Sequence, residues 1–275
     1  MSLSRLSLLF FCALPLGPVL GHEYWLSPRN YQVENGEKIE ADFRNGEEFK
    51  GAPYSYLPNR VSRFEVFVNG VAQPVAARAG DLPALQLEPP AQDVLLVAIM
   101  EAAASTVTYK DWEKFLAFAA HKDFPQAEAD HIANRWPQDR FKESYTRHAK
   151  TLIAVGSGAG QDQPTGMATE FVARSNPYSA DFGGQMEVTL LYQGQPRADA
   201  QIEVFDRAPG GEVTITMHRT DDAGQASVPV TPGHAYLFDA VVLRPAPGAG
   251  TGAAVDANNP VWETLWAALT FRVPQ

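Results

Sequence analysis

The chain has 275 residues, of which 45% are hydrophobic, and it carries a formal net charge of −10. This length suits one large domain or two of ordinary size, and the apolar fraction is sufficient for a buried core. The negative charge opposes binding to nucleic acid and to anionic membrane surfaces, so we expect neither as a partner.

The N-terminus has the three parts of a secretory signal. Arg5 supplies a positive charge, residues 6–20 are mostly apolar, and Val19-Leu20-Gly21 puts compact residues before a cleavage site. The apolar stretch is too short, and too interrupted by proline, to remain as a transmembrane helix. We therefore predict a signal peptide at residues 1–21, a periplasmic protein without a membrane span, and His22 as the new N-terminus.

Cysteine chemistry is excluded from the predicted mature chain. The single cysteine, Cys12, lies within the signal, so the remaining 275 − 21 = 254 residues contain none. We expect no disulfide, no thiolate metal site and no cysteine nucleophile, and stability that comes from apolar cores.

The first half of the chain is predicted to form short strands. Alternating apolar residues at 63–68 are followed by Asn69-Gly70, which favours a primed hairpin turn, and then by a return strand at 71–77. The continuous apolar run at 93–100 is typical of a strand that is buried on both faces.

The pattern changes to helical spacing near residue 110. Apolar residues recur at three- and four-residue intervals in residues 111–120, with Asp111 as the N-cap. We predict further helices at 126–136 and 138–150, before a strand at 151–155. Together they indicate a helical insertion at about 110–149.

Strand signals return beyond Asn176-Pro177-Tyr178, which marks a boundary. Strands are predicted at 185–192, 200–205, 213–218, 226–230, 235–243 and 262–273. Short strands with regularly spaced turns indicate antiparallel sandwiches. We therefore predict a mainly β chain with two antiparallel β-sandwich domains of the Ig or prealbumin-like kind. They cover residues 22–175, with the helical insertion, and residues 176–275.

Several motifs occur in an order that suggests a family. They are His22-Glu23-Tyr24-Trp25-Leu26-Ser27-Pro28, residues 145–152 (YTRHAKTL), Asn176-Pro177-Tyr178, Gly194-Gln195-Pro196, residues 220–224 (TDDAG) and residues 262–271 (WETLWAALTF). Together they resemble an uncharacterised family of bacterial periplasmic proteins that is often linked to nickel or cobalt uptake. The resemblance covers nearly the whole mature chain and implies export, a two-part β architecture and transition-metal handling. The last β region also resembles prealbumin-like modules, which are scaffolds without a fixed function.

His22 is the leading candidate for a metal ligand. After cleavage, its α-amine, with a pKa near ~8, and its Nδ1 atom chelate one ion in a compact ring. Such nitrogen ligands suit Cu(II) and Ni(II). The arrangement resembles the histidine brace of copper monooxygenases and of some periplasmic copper-binding proteins. A cut one residue away would remove this chelate, and the alternative is that His22 simply opens the first strand.

Further ligands are sought among histidines and carboxylates. His234 lies in a Thr-Pro-Gly-His turn, and His218 faces away from the apolar side of its strand. The alternative for each is an ordinary surface histidine.

Two carboxylates lie in apolar strands. Glu263, between Trp262 and Thr264, completes the candidate metal set, and Asp239 is equally unusual. A carboxylate in such a strand needs a partner, so the alternative is an ion pair. Candidates for that partner are Arg147, Lys150 and Arg244.

Catalytic signatures are missing, since the sequence has no Gly-x-Ser-x-Gly elbow, P-loop or dinucleotide glycine motif. We predict a non-enzymatic periplasmic protein that binds Cu, Ni or Co and passes it to a membrane metal transporter. One alternative is a metal-free interaction or carbohydrate-binding module, with aromatic residues near the N-terminus as a sugar face. Another is a copper monooxygenase-like enzyme built on the His22 brace.

Overall fold

The computed structural model describes residues 21–256 and 258–275. Apart from Gly21, the predicted signal peptide lies outside the described residues. Within them, the chain is mainly β and has two α-helices, α1 (Trp112–His121) and α2 (Ala127–Ala133). Neither is long and apolar enough to cross a membrane.

The strands follow one another along the chain. They are β1 (Glu23–Pro28), β2 (Gln32–Val33), β3 (Ile39–Glu47), β4 (Lys50–Tyr54), β5 (Val61–Val68), β6 (Val71–Pro74), β7 (Leu85–Leu87), β8 (Val94–Ala102), β9 (Ser105–Tyr109), β10 (Phe141–Val155), β11 (Thr169–Ala173), β12 (Gln185–Tyr192), β13 (Gln195–Pro196), β14 (Gln201–Arg207), β15 (Val213–Arg219), β16 (Gln225–Pro229), β17 (Ala235–Pro245) and β18 (Pro260–Arg272).

These strands form three sheets. A ten-stranded sheet has the order β15-β14-β17-β18-β10-β8-β5-β6, and β2 and β9 also pair with β10. A second sheet joins β1, β3, β4 and β7, and a third joins β11, β12, β13 and β16. This layered arrangement is consistent with the predicted β-sandwich fold.

The centre of the large sheet is formed by β10 and β18, which run parallel. The sequence signals of antiparallel hairpins gave no indication of this pairing. It joins a strand from before residue 176 to one from after it. The domain division at residue 176 stays a prediction.

Two apolar cores lie on opposite faces of the large sheet. In β8, Leu95, Val97 and Ile99 belong to the core beneath the third sheet. Leu96 and Ala98 belong to the core beneath the second sheet, which also contains the fully buried Trp25. The prediction of a strand buried on both faces is therefore confirmed, because successive side chains of a strand point to opposite faces.

The hairpin at Asn69-Gly70 is also confirmed. Both residues have positive φ, at 50° and 76°, and they connect the paired strands β5 and β6. This conformation is the one that a primed turn requires.

The helical insertion is only partly as predicted. Two of the three helices are present, and Asp111 caps α1 by accepting a hydrogen bond from the Glu113 amide at 3.1 Å. The third helix, predicted at 138–150, is wrong, because residues 141–155 form strand β10. This segment pairs with β18 on one side and with β8 and β9 on the other, and these pairings outweigh its helix-compatible composition.

Candidate functional site

A cavity of about 460 Å³ lies beside the start of β1, and we call it the His22 cavity. His22 lines it, with Gly21 next to it, and residues of β3, β9, β10, β18 and α1 contribute to the remaining walls. Gly21 lies against the edge of the Trp266 ring, because a Cβ atom added there would be 2.8 Å from that ring. Cleavage after Gly21 would thus place a free α-amine at this cavity.

Strand alternation brings the polar groups of the cavity together. Glu143, Tyr145 and Arg147 occupy alternate positions of β10 and so share one face. In the parallel register they lie next to Trp262, Thr264 and Trp266 of β18, respectively.

Glu143 is a buried carboxylate whose oxygens both accept hydrogen bonds. Tyr109 donates to one oxygen at 3.0 Å and Thr264 donates to the other at 2.5 Å. Burial raises the pKa of Glu143 to about 6, against the opposing effect of these two hydrogen bonds and of the Arg147 charge. The carboxyl group therefore titrates in the mildly acidic range.

Arg147 lies over the Trp266 ring, with 3.7 Å between its guanidinium carbon and the ring centroid. The residue as a whole is half-buried, while its Nε and Nη1 atoms are inaccessible to solvent and have no hydrogen-bond partner among the described residues. Burial lowers the pKa of Arg147 from its very high ordinary value. Its N–H groups are therefore the least satisfied donors near the cavity.

A buried charge cluster connects β1 to the helical insertion. Lys122 donates hydrogen bonds to Glu203 at 2.6 Å and to Asp239 at 3.0 Å, and all three side chains are buried. Nearby Glu23 is also buried, and its Oε2 atom has no hydrogen-bond partner among the described residues. Burial raises the pKa of Glu23 to about 8, and the negative charge of Asp239 adds to this effect.

His22 itself is well exposed, with 62% of its side chain accessible, at the edge of the cavity. Its Nε2 atom lies 3.6 Å from an Oε1 atom of Glu47, which is an ion-pair distance rather than a hydrogen bond. Its Nδ1 atom makes no hydrogen bond within the described part of the chain.

The other two predicted histidine ligands lie elsewhere. The Nδ1 atom of His234 lies 2.6 Å from one carboxylate oxygen of Asp206. The other oxygen of Asp206 accepts a hydrogen bond from the Tyr236 hydroxyl. His218 is on β15, at the edge of the large sheet, and contacts the Thr216 hydroxyl at 3.1 Å.

Glu263 forms the ion pair that was the alternative to a metal role. Arg244 donates to its carboxylate from Nε at 2.6 Å. Glu263 alternates with Trp262 and Thr264 along β18, so its side chain points to the opposite face from the His22 cavity. Asp239 pairs with Lys122, which the sequence reasoning did not consider.

The four predicted ligands do not converge. His234 and Glu263 lie at opposite ends of the β17–β18 pair, ten residues or about 33 Å apart along the strand. Within residues 21–256 and 258–275, no group of three or more His, Cys, Asp and Glu side chains is placed to hold a metal ion. Of the four predicted ligands, His22 alone lines the cavity. The role of all four as metal ligands stays a prediction.

Sequence reasoning missed most residues of the cavity. Glu143, Tyr145 and Arg147 were assigned to a helix. In a helix, alternate positions do not share a face, so the assignment hid the common face that these residues have in a strand. Glu23 was treated only as part of a motif. The available signal was its position between His22 and Tyr24, where a carboxylate on the buried face of a strand needs an explanation.

Comparison with known families identifies the chain. A family described as a domain of unknown function, DUF4198, matches residues 19–244. The chain belongs to this family. Membership agrees with the predicted resemblance to an uncharacterised family, and it carries no function of its own. No curated protein matches the chain.

Two solved structures resemble the chain weakly. One is a tetra-tandem repeat in the extending region of a large adhesion protein, with 10% identity and a TM-score of 0.21, covering 91% of this chain and 50% of that one. The other is a DUF4785 family protein from Legionella pneumophila, with 7% identity and a TM-score of 0.22, covering 78% of this chain and 51% of that one. The chain thus spans about half the length of each, and similarity at this level carries no argument.

Proposed function

We propose that this protein is exported to the periplasm and there binds a divalent transition metal ion, Cu(II), Ni(II) or Co(II), through the N-terminal His22. The α-amine and Nδ1 of His22 would supply the first two ligands. The protein would act without catalysis, as a metal carrier that passes the ion to a membrane metal transporter.

The observation that carries the proposal is the placement of Glu47 beside the His22 ring. A carboxylate next to Nε2 favours the tautomer in which this atom holds the proton, leaving the Nδ1 lone pair for a metal. Histidines that bind metals typically donate their other ring N–H to an outer partner, and Glu47 would take this role after a small shift of its exposed side chain from the present 3.6 Å. The residues present therefore fit an amine–imidazole chelate.

The charges around the cavity set a limit on the kind of ion. Lys110, Lys114 and Arg147 line it together with two acids, Asp111 and Glu143. This balance does not attract hard cations that bind through carboxylate oxygens, such as Ca²⁺. It leaves ions that gain most of their affinity from nitrogen ligands, and Cu(II) and Ni(II) stand highest in that order.

The link to nickel or cobalt uptake rests on the family resemblance alone. Delivery to a transporter needs a site that releases its ion, and an exposed residue at the edge of a cavity meets that need better than a closed site does.

The proposal is tested first on the protein recovered from the periplasm. Intact mass should correspond to residues 22–275, and titration with Cu(II) and Ni(II) should show one tight site. We expect His22→Ala to lose this site and His218→Ala, a half-buried control on β15 outside the cavity, to keep it. A mature chain that starts elsewhere, or equal binding by both variants, would contradict the proposal.

A further inference from the structure

A second concavity, of about 760 Å³, adjoins the His22 cavity, and we call it the arginine cleft. The two share Asn45, Tyr145 and Arg147 as lining residues. The cleft is formed by the second sheet, the turn before β5 and the connection between β8 and β9. It is larger than the His22 cavity and has a different chemical character.

The charge of the cleft is opposite to that of the protein. Arg60 and Arg147 line it, and no aspartate or glutamate does so among the described residues. Neither arginine forms an ion pair within residues 21–256 and 258–275. The chain as a whole carries a net charge of −10, so two guanidinium groups without a close ion pair in one cleft stand out from the general acidity.

Arg147 has no hydrogen-bond acceptor among the described residues. Its Nε and Nη1 atoms are inaccessible, at a cost of about 1–3 kcal/mol for each unpaired buried N–H, so Nη2 is the nitrogen that a ligand in the cleft can reach. Among the described residues that line the cleft, none supplies a carboxylate to this guanidinium. A carboxylate is a strong partner for a guanidinium, and here it would accept a charged hydrogen bond from Nη2 of Arg147.

The walls of the cleft indicate the body of that anion. Tyr24, Phe43 and Tyr54 line it together with Leu57. Tyr24 and Phe43 contact each other with their ring centroids 6.1 Å apart, and Tyr54 and Leu57 are among the most exposed large apolar side chains described. Aromatic walls of this kind favour a flat or apolar organic molecule over a small inorganic ion.

We propose that the arginine cleft binds a small organic carboxylate with a flat, apolar body. Its carboxylate pairs with the guanidinium groups of Arg147 and Arg60, and its body packs against the Tyr24, Phe43 and Tyr54 side chains. This site is separate from the proposed metal site and requires no metal ion.

The test uses phthalate, a flat dicarboxylate, as the probe in calorimetric titrations of the purified protein with EDTA present. We expect saturable binding of phthalate, and binding of the neutral analogue phthalamide that is at least about tenfold weaker. Loss of one charged hydrogen-bond pair corresponds to about tenfold, so Arg60→Gln and Arg147→Met should each weaken phthalate binding by that factor.

Two controls keep the test decisive. Arg60 is exposed, so Arg60→Gln should leave the fold intact even if Arg147→Met does not. Arg140→Gln removes an exposed charge outside the cleft and should leave phthalate binding unchanged. The proposal is overturned if phthalate does not bind, if phthalamide or sulfate binds as well as phthalate, or if Arg140→Gln weakens binding as much as Arg60→Gln. Because EDTA removes metal, none of these results depends on the His22 chelate.

Discussion

The guanidinium of Arg147 lies 3.7 Å from the centroid of the Trp266 ring, at the boundary between the His22 cavity and the arginine cleft. This contact stabilises the cation by about 0.5–2 kcal/mol. The same half-buried side chain has two inaccessible nitrogens without acceptors among the described residues, and the desolvation of a charge that has no close ion pair costs several kcal/mol. The unfavourable effect is the larger one, so Arg147 is maintained at a cost to stability.

Arg147→Met should therefore increase the free energy of unfolding of the ligand-free protein by about 1 kcal/mol. Methionine has a similar length and keeps contact with Trp266 without a charge. Urea unfolding followed by tryptophan fluorescence measures the change. A decrease of more than about 2 kcal/mol would show that Arg147 is a structural residue.

Lys122→Met should have the opposite effect. Lys122 pairs with the buried carboxylates of Glu203 and Asp239. Its removal leaves Asp239 without an ion-pair partner among the described residues and Glu203 with His121 alone, and it should cost about 3–5 kcal/mol of stability. Lys114→Met, in an exposed position of α1, the helix that Lys122 follows directly, is the matched control and should change stability by less than about 0.5 kcal/mol. Similar unfolding midpoints for the two variants would mean that the ion pairs of Lys122 contribute nothing to the stability of the protein.

The raised pKa of Glu23 predicts that the stability of the protein depends on pH. Burial raises the pKa of Glu23 to about 8 from an ordinary value of 4.5, so the native state holds this proton more tightly than the unfolded chain does. The free energy of unfolding therefore contains a contribution that is present below about pH 4.5 and is lost as the pH rises toward 8. Glu23→Gln should remove this loss and exceed wild type by about 1–3 kcal/mol at pH 8.5.

The exposed Glu88→Gln serves as the control for this comparison and should follow the wild-type pH profile. Unfolding midpoints from pH 5 to 8.5 give the measurement. A Glu23→Gln profile parallel to that of wild type would show that Glu23 does not bind its proton in this range.

Glu47 should influence metal affinity without being a ligand. It lies 3.6 Å from the Nε2 atom of His22, and loss of such an outer partner typically weakens a metal site 10- to 100-fold. We expect Glu47→Gln to weaken Cu(II) binding by about tenfold. Glu48→Gln, its exposed neighbour, should have no effect, and equal affinities for the two variants would remove Glu47 from the site.

The strands of the second half were predicted closely because each carries its own signal. Residues 185–192 form β12 as predicted, and the strand predicted at 235–243 is β17, Ala235–Pro245. In both, alternation or a continuous apolar run is bounded by turn residues, so local information is sufficient. The helix cap at Asp111 was predictable for the same reason.

The first part of strand β10, residues 141–150, could not be predicted from its own residues, whereas residues 151–155 were predicted as a strand. The charged and polar composition of the first part suits a helix, and pairing with β9 and with the distant β18 makes it a strand. The candidate site depends on this pairing, because Arg147 meets Trp266 across 119 positions of the chain. Of the site, sequence reasoning supplied His22 through the cleavage site and motif. It named Arg147 only as a candidate ion-pair partner, and it did not place this residue beside Trp266.

The most direct test of the account compares two chains by Cu(II) titration and electron paramagnetic resonance. One begins at His22, and the other carries six Gly-Ser residues before it, so that the α-amine is far from the imidazole. We predict that the first chain binds one Cu(II) with a spectrum typical of nitrogen ligands and that the extension weakens binding by at least about a hundredfold. Equal affinities and spectra for the two chains would contradict the proposed chelate.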